Sequence, residues 1–253
     1  MFLNYYDPHS PFAPPRKTRK AFLPPGTRPA DMPDGPEKFT AFYDAEILFM
    51  DQEIGKVLAF LEASGVANDT VVVVTADHGD MLGDAGRWGQ GTSLSESEVR
   101  IPLLFKSAGS SAPIGEDDTP LQQVDVMPMI LDDLGLPAPA AIQGGVPGRI
   151  HRPIVSEVNP LPAASKEGDW RAIHSGELKF LWNSLGNHRL HNLVSDPGER
   201  SNLYRRRAKD AKRLEEELLS YLASLPTPGD AGPEREVDSA TVEALKNLGY
   251  IDR

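Results

Sequence analysis

The feature that most constrains this chain is a run of valines that ends abruptly on polar residues. Val71–Thr75 reads VVVVT, and the letters A-D-H-G follow at once. Four consecutive valines leave no polar face, which is typical of a strand buried on both sides, as in parallel sheets. Ligands of open α/β sheets bind beyond the carboxyl ends of the strands. The sequence therefore predicts a buried strand that delivers Asp77 and His78 to a ligand site.

The first half of the chain has the pattern of an α/β domain. Residues 2–6 (FLNYY) predict a short strand, and the prolines between Pro8 and Pro36 predict a long irregular loop. Apolar residues at helical spacing predict a helix from Phe39 to Glu62, with Gly65 capping its end. A strand, this helix and Val71–Thr75 would form a right-handed crossover unit.

The second half changes in texture. Ile101–Lys106 predicts a further strand, and Asp125–Leu134 predicts a short helix with Asp125 as its N-cap. Four short strands separated by turn residues then predict a small antiparallel sheet, followed by a helix over 205–224. We expect three parts: an α/β portion over 1–150, the antiparallel sheet and its helix over 151–225, and a tail with a short terminal helix over 226–253.

Composition excludes several classes of function. The net charge of -11 argues against nucleic-acid and anionic-membrane binding, since both need a basic face. The chain has no cysteine, which excludes disulfides and thiolate metal sites. It contains no apolar run long enough to span a membrane and no recognisable signal peptide. The compartment stays open.

Asp77 and His78 are the candidate metal ligands. Carboxylate oxygens favour hard cations such as Ca²⁺, Mg²⁺ or Mn²⁺, and an imidazole nitrogen shifts the preference toward Mn²⁺ or Zn²⁺. The alternative is purely structural, with Asp77 capping a turn and His78 bonding to the backbone. The tripeptide alone favours the structural alternative, and the longer context favours the metal.

That context resembles the signature segments of the sulfatase family, within the alkaline phosphatase superfamily. The stretch "TVVVVTADHGDMLGDAGRWGQGTSLSESEVRIPLL" is similar to its apolar strand, T-S/A-D-H/N-G turn and V/I-R-V/I-P close. Other segments follow in the family's order: "DPHSP", "YDAEI", "VDVMPMILDDLG" and "LHNLVSDPGERSNL". The resemblance implies part of an alkaline-phosphatase-like, mostly parallel sheet flanked by helices, then a small antiparallel sheet with a C-terminal helix.

The resemblance also implies roles for individual residues. Asp77 and His78 stand where the family holds a divalent cation, usually Ca²⁺. His9 stands where the family's loop histidine contacts the sulfate or the leaving oxygen, which makes it the candidate catalytic and substrate-binding residue. Asp7 would shape the turn before Pro8. Arg100 would be a structural ion-pair partner for a glutamate, Glu96 or Glu98.

Three departures from the family pattern affect the site. Gln90 replaces the sulfate-binding lysine, which leaves a hydrogen-bond donor without its charge, and Arg87 is the nearby cation available to replace it. Ala85 replaces a frequent histidine. The family's formylglycine nucleophile, made within C/S-x-P/A-x-R, and its paired aspartate ligands have no counterpart in this chain. We therefore expect the C-terminal portion of an enzyme, inactive alone, whose missing N-terminal segment completes the site.

The leading hypothesis is a sulfatase-type hydrolase of small sulfate esters. One alternative is a phosphodiesterase or phosphonate monoester hydrolase of the same superfamily, which the missing lysine favours. The other is a non-catalytic, degenerate family member, which Ala85, Gln90 and the absent nucleophile favour.

Overall fold

The computed structural model describes residues 1–109, 115–149, 152–158 and 165–225, together with Ser239 and Val242. Five helices lie in the described residues: α1 (Arg16–Phe22), α2 (Pro36–Ala63), α3 (Glu96–Val99), α4 (Val126–Asp133) and α5 (Ala208–Ser224). The strands of the first half are β1 (Val72–Thr75), β2 (Met81–Leu82), β3 (Trp88–Gly89) and β4 (Leu103–Lys106). Those of the second half are β5 (Ile154–Val158), β6 (Trp170–Ser175), β7 (Leu178–Asn183) and β8 (Arg189–Asn192).

The predicted fold class is confirmed. The chain is α/β, with a small antiparallel sheet and a helix in its second half. It divides into two compact units, Met1–Leu218 and Leu219–Arg253, and the strands found in the described residues all belong to the first. The predicted terminal helix near the end of the chain lies outside the described residues. None of the helices in the described segments is long and apolar enough to cross a membrane.

Helix α2 forms where its apolar spacing predicts it and ends as predicted at Gly65. Gly65 has a φ of 71°, a left-handed conformation that glycine adopts without strain. Its N–H bonds to the carbonyl of Glu62, and the N–H of Val66 bonds to the carbonyl of Leu61. These two bonds form a Schellman cap, which satisfies carbonyls that the last turn leaves open.

Two predictions about the segment before α2 are wrong. Residues 2–6 form no strand, and Phe2 is 88% exposed, because no neighbouring strand in the described residues pairs with them. The proline-rich segment is not wholly irregular, since α1 lies within it. Pro15 precedes the first turn, and the following seven residues, RKTRKAF, contain no proline to interrupt a helix.

Strand β1 has a different environment from the one predicted. It pairs with β4 antiparallel, in the register Val73 to Phe105, so the pair is not the parallel one that the valine run suggested. The three valines of β1 are only half-buried, because in the described residues β4 is its single neighbour. The expected strand–helix–strand crossover is therefore absent from the part of the chain that the structure describes.

The four predicted strands of the second half are confirmed. They form one antiparallel sheet in the order β5-β6-β7-β8. This sheet supplies much of the core, including Ile173, Phe180 and Leu190, which are fully buried. Helix α5 buries Leu214 and Leu218 on one side, as its spacing predicts.

The short helix α4 also forms as predicted, although its cap differs. Asp125 stands at the N-cap position, but its carboxylate does not bond to the helix. It accepts instead from the backbone N–H groups of Gln122 and Gly145, both at 2.9 Å, and pairs with Arg152. Asp125 thus ties α4 to neighbouring loops.

Candidate active site

The His9 loop is held from helix α2. The N–H of Ala13 donates to Oε1 of Glu46, a buried glutamate in the middle of that helix. Nδ1 of His9 donates to the carbonyl oxygen of Ser10 at 2.6 Å. A carbonyl can only accept, so this bond leaves Nε2 of His9 as an acceptor. The side-chain amide of Gln90 donates to that Nε2 at 3.1 Å.

Asp77 and His78 follow β1, where the sequence places them. Nδ1 of His78 donates to the carbonyl oxygen of Gly79 at 2.8 Å, which leaves its Nε2 lone pair available to a cation. That Nε2 lies 3.8 Å from Oδ2 of Asp77. The other oxygen of Asp77 accepts from the N–H of His78 at 3.0 Å. The hydrogen bonds to the backbone that the structural alternative predicts are thus present. They also orient the Asp77 carboxylate and the His78 imidazole as neighbouring potential metal ligands.

The two histidines lie side by side. The ring centroids of His9 and His78 are 6.5 Å apart in an edge-on arrangement. The structure thus brings His9 together with Asp77, His78 and Gln90, which lie far from it in the sequence. This set is called the histidine cluster below.

Arg87, the proposed replacement cation, is directed elsewhere. Its guanidinium donates to Oε2 of Glu167 at 2.8 Å, so its charge is already balanced by a carboxylate. No contact in the described residues joins it to His9 or Gln90. Its role in substrate binding stays a prediction.

The prediction for Arg100 is wrong. Arg100 is exposed and forms no ion pair with Glu96 or Glu98 in the described residues. Glu96 pairs with Lys179 at 2.7 Å instead. Glu98 is buried and accepts hydrogen bonds from the neighbouring loop instead.

Glu98 is a structural residue of the site that the sequence reading misassigned. Its Oε1 accepts from the N–H of Gly91 at 2.6 Å, and its Oε2 accepts from the hydroxyl of Ser93. Its backbone oxygen accepts from the N–H of Gly79 at 2.8 Å. One residue of α3 therefore fixes both the loop beside Gln90 and the loop beside His78.

Two further carboxyl groups, those of Glu46 and Asp80, have raised pKa values. Burial raises the pKa of Glu46 to about 7, opposed by the hydrogen bond from Ala13 and reinforced by the charge of Asp7. Burial also raises the pKa of Asp80, opposed by the nearby charges of His78 and His9. Each carboxyl group has one buried oxygen without a hydrogen-bond partner in the described residues. A glutamate on the apolar face of a predicted helix was the available sequence signal for Glu46.

Asp77 and His78 are suitable types of metal ligand, but two side chains are too few to form a complete metal site. They offer one carboxylate and one imidazole nitrogen on adjacent residues, a donor set suited to a divalent cation. Within the described residues, no group of three or more histidine, cysteine, aspartate or glutamate side chains could hold a metal ion. The pair therefore fits a cation site only as part of a larger ligand set.

Comparison with known proteins gives a consistent picture. A family model described as Sulfatase matches residues 1–136, which includes the whole histidine cluster. The chain is 34% identical over 141 residues to a multifunctional alkaline phosphatase superfamily protein, PehA, of Trinickia caryophylli. It is 29% identical over 168 residues to a choline-sulfatase of Rhizobium meliloti.

The matches cover more of this chain than of the relatives. They span 55% and 64% of the chain, but 25% and 32% of the two relatives. A protein solved with its substrate, D-glucosamine-2-N,6-O-disulfate, superimposes with a TM-score of 0.60 at 23% identity. That superposition covers 86% of this chain and 42% of the other, and it supports the fold alone.

Proposed function

Because the chain belongs to the sulfatase family, we propose that it carries part of the active site of a metal-dependent hydrolase of sulfate esters. The observation that supports this proposal is the contact between His9 and Gln90 beside His78. A donor amide, an imidazole that can donate once it is protonated, and a pair of cation ligands in one place suit an ester of a tetrahedral oxyanion. Each group addresses a different oxygen of such an ester.

The chemistry assigned to each residue follows from its hydrogen bonds. Nδ1 of His9 is engaged with Ser10, so Nε2, which accepts from the Gln90 amide, is the ring atom that faces the cluster. Protonated at Nε2, His9 would donate to the leaving oxygen as the ester bond breaks. The amide of Gln90 would donate to a sulfate oxygen and stabilise the charge developing there. A cation bound by Asp77 and His78 would orient the ester and neutralise its oxygens.

The identity of the cation is part of the proposal. The carboxylate of Asp77 and the family position favour Ca²⁺, and the imidazole of His78 keeps Mg²⁺ and Mn²⁺ as alternatives. With only two donors from this chain, binding should be weak. We propose that the remaining ligands and the formylglycine nucleophile come from a segment outside these 253 residues.

The test of oxyanion binding centres on Gln90. An ammonium at this position adds charge assistance to the hydrogen bond, so Gln90→Lys should bind inorganic sulfate about tenfold more tightly. Affinity is measured by following the His9 and His78 ring signals by NMR as sulfate is added. The matched control is Gln52→Lys, an exposed change on α2 with the same gain of charge. Sulfate that moves neither ring signal, in wild type or Gln90→Lys, would contradict the proposal.

Turnover by the chain alone is a separate matter. With no cysteine and no C/S-x-P/A-x-R motif, the 253-residue chain should not hydrolyse an aryl sulfate. Sustained hydrolysis that disappears in His9→Ala would show instead that the chain contains its own nucleophile.

Gln90 also supports a second candidate, a phosphodiesterase or phosphonate monoester hydrolase. Without the family's lysine, the site lacks the group that binds sulfate in the family. The neutral amide of Gln90 can donate a hydrogen bond to a sulfate or to a phosphorus oxyanion. Repeating the titration with methylphosphonate and inorganic phosphate separates the two, because tighter binding of the phosphorus oxyanions favours this candidate. Failure of every oxyanion to bind favours the third reading, a non-catalytic member of the family.

A further inference from the structure

The two loops of the histidine cluster meet on the short helix α3. Glu98 accepts from Gly91 on one side and from Gly79 on the other, as described above. Contact with Gly79 is very close, because a Cβ added there would lie 2.0 Å from the backbone oxygen of Ser97. The separation between His78 and Gln90 therefore depends on where α3 lies.

The start of α3 is held by the antiparallel sheet of the second half and by the loop that follows its last strand, β8. Oε2 of Glu199 accepts from the N–H of Glu96, the first residue of α3, at 2.7 Å. Nζ of Lys179, on β7, lies 2.7 Å from Oε1 of Glu96 and 2.9 Å from Oε1 of Glu199. The Lys179 side chain is fully buried, so the three charges form an internal network.

The charge balance of this network relies on Lys179. His174 on β6 and His191 on β8 are its partners in register. Burial is the main factor that lowers the pKa of each histidine, with Lys179 contributing, which favours their neutral forms. Lys179 is therefore the one cation of this set shared by the carboxylates of Glu96 and Glu199, and one negative charge of the set stays unbalanced. Breaking such a buried set by removing one member is strongly destabilising locally.

Two further observations indicate that the contact is specific. Glu199 has a φ of 51°, and it is the one non-glycine residue with a positive φ in the described residues. Such a conformation persists only where the surroundings enforce it. An apolar cluster continues the same contact, with Leu94, which precedes α3, and Val99, its last residue, packed against Trp170 and Leu181 of the sheet.

We propose that Glu199 is a positioning residue for the histidine cluster, acting through α3. Its carboxylate, paired with Lys179, fixes the N-terminus of α3, and α3 in turn holds Gly79 beside His78 and Gly91 beside Gln90. The antiparallel sheet thereby sets the spacing of the site although it contributes none of the groups proposed to contact substrate. The inference rests on the proposed function only for the identity of the site.

Amide hydrogen exchange followed by NMR tests this directly. In Glu199→Ala, the Gly79 and Gly91 amides should exchange about tenfold faster relative to amides of the β6–β7 ladder, because their shared acceptor residue is no longer held. Glu199→Gln keeps an acceptor for the Glu96 N–H and loses only the charge, so its effect should be smaller in the same direction. If Glu199→Ala does not fold, Glu199→Gln decides the outcome.

The matched control is Leu214→Ala in α5, which removes buried side-chain volume outside the network. It should raise exchange at Gly79, Gly91 and the ladder in parallel, since its effect is on global stability. An unchanged ratio in the Glu199 variants, or a pattern like that of Leu214→Ala, would overturn the proposal. The measurement uses neither sulfate nor metal, so it stands or falls separately from oxyanion binding.

Discussion

The rings of His9 and His78 are oriented by the same kind of local hydrogen bond. Each ring donates Nδ1–H to the carbonyl oxygen of the next residue, Ser10 or Gly79. This bond fixes the tautomer and presents Nε2 to the cluster. The residue types and their order were readable in the sequence, because motifs record them. The pairing of Arg87 with Glu167, and the lack of an ion pair between Arg100 and Glu96 or Glu98 in the described residues, were not, because side-chain ion pairs depend on the tertiary arrangement of distant segments.

Glu46 gives a prediction at the scale of a single residue. Burial raises its pKa from 4.5 to about 7, so the folded state binds this proton more tightly than the unfolded state. The stability of the protein should therefore fall as pH rises from 4.5 to about 7, by at most on the order of 3 kcal/mol, and stay level above that. Glu46→Gln retains an acceptor for the Ala13 N–H without the charge.

Urea unfolding of wild type and Glu46→Gln at several pH values measures this effect. The variant should be the more stable protein at pH 8, and its advantage should shrink toward zero near pH 4.5. An advantage that does not change between these two pH values would show that the carboxyl of Glu46 ionises normally in the folded protein.

At the scale of elements, the positions of most helices and strands were predicted well, but the pairing of β1 with β4 was not. Helix α2, the four strands β5–β8 and helix α5 follow from spacing and turn residues, which are local properties. The direction of the β1–β4 pair is not local, since a valine-rich strand is compatible with either direction. Helix α3 has only four residues, too few for a periodic signal, yet it organises the site.

Two glycine substitutions should have opposite effects on stability, because Gly79 packs against α3 and Gly55 faces open space on α2. Gly79→Ala introduces a Cβ into the backbone of α3 and should destabilise the protein by about 1–3 kcal/mol. Gly55→Ala, in the exposed middle of α2 with nothing within 4 Å of the new Cβ, should stabilise it by about 0.5–1 kcal/mol. Denaturant unfolding checks both changes. A neutral Gly79→Ala would mean that the loop after β1 does not press against α3.

At the scale of the whole molecule, the first unit leaves apolar strand surface uncovered. In the described residues β1 and β4 pair only with each other, so each strand has an open edge. Leu104 of β4 is 60% exposed, and Phe2, Tyr5 and Tyr6 of the same unit are exposed as well. Open, apolar strand edges promote pairing between chains. The antiparallel sheet, by contrast, buries its own core and holds the site through α3.

This surface predicts that the 253-residue chain self-associates in solution. Leu104→Lys places a charge on the β4 edge, where a second chain would have to bury it, and should shift the population toward monomer. Analytical ultracentrifugation over a range of concentrations measures the shift. Val194→Lys is the matched control, because Val194 is 77% exposed outside any strand and its replacement adds the same charge. A wild-type chain that is monomeric at every concentration and melts in one sharp transition would contradict the prediction, since the uncovered strands would then be stable as they are.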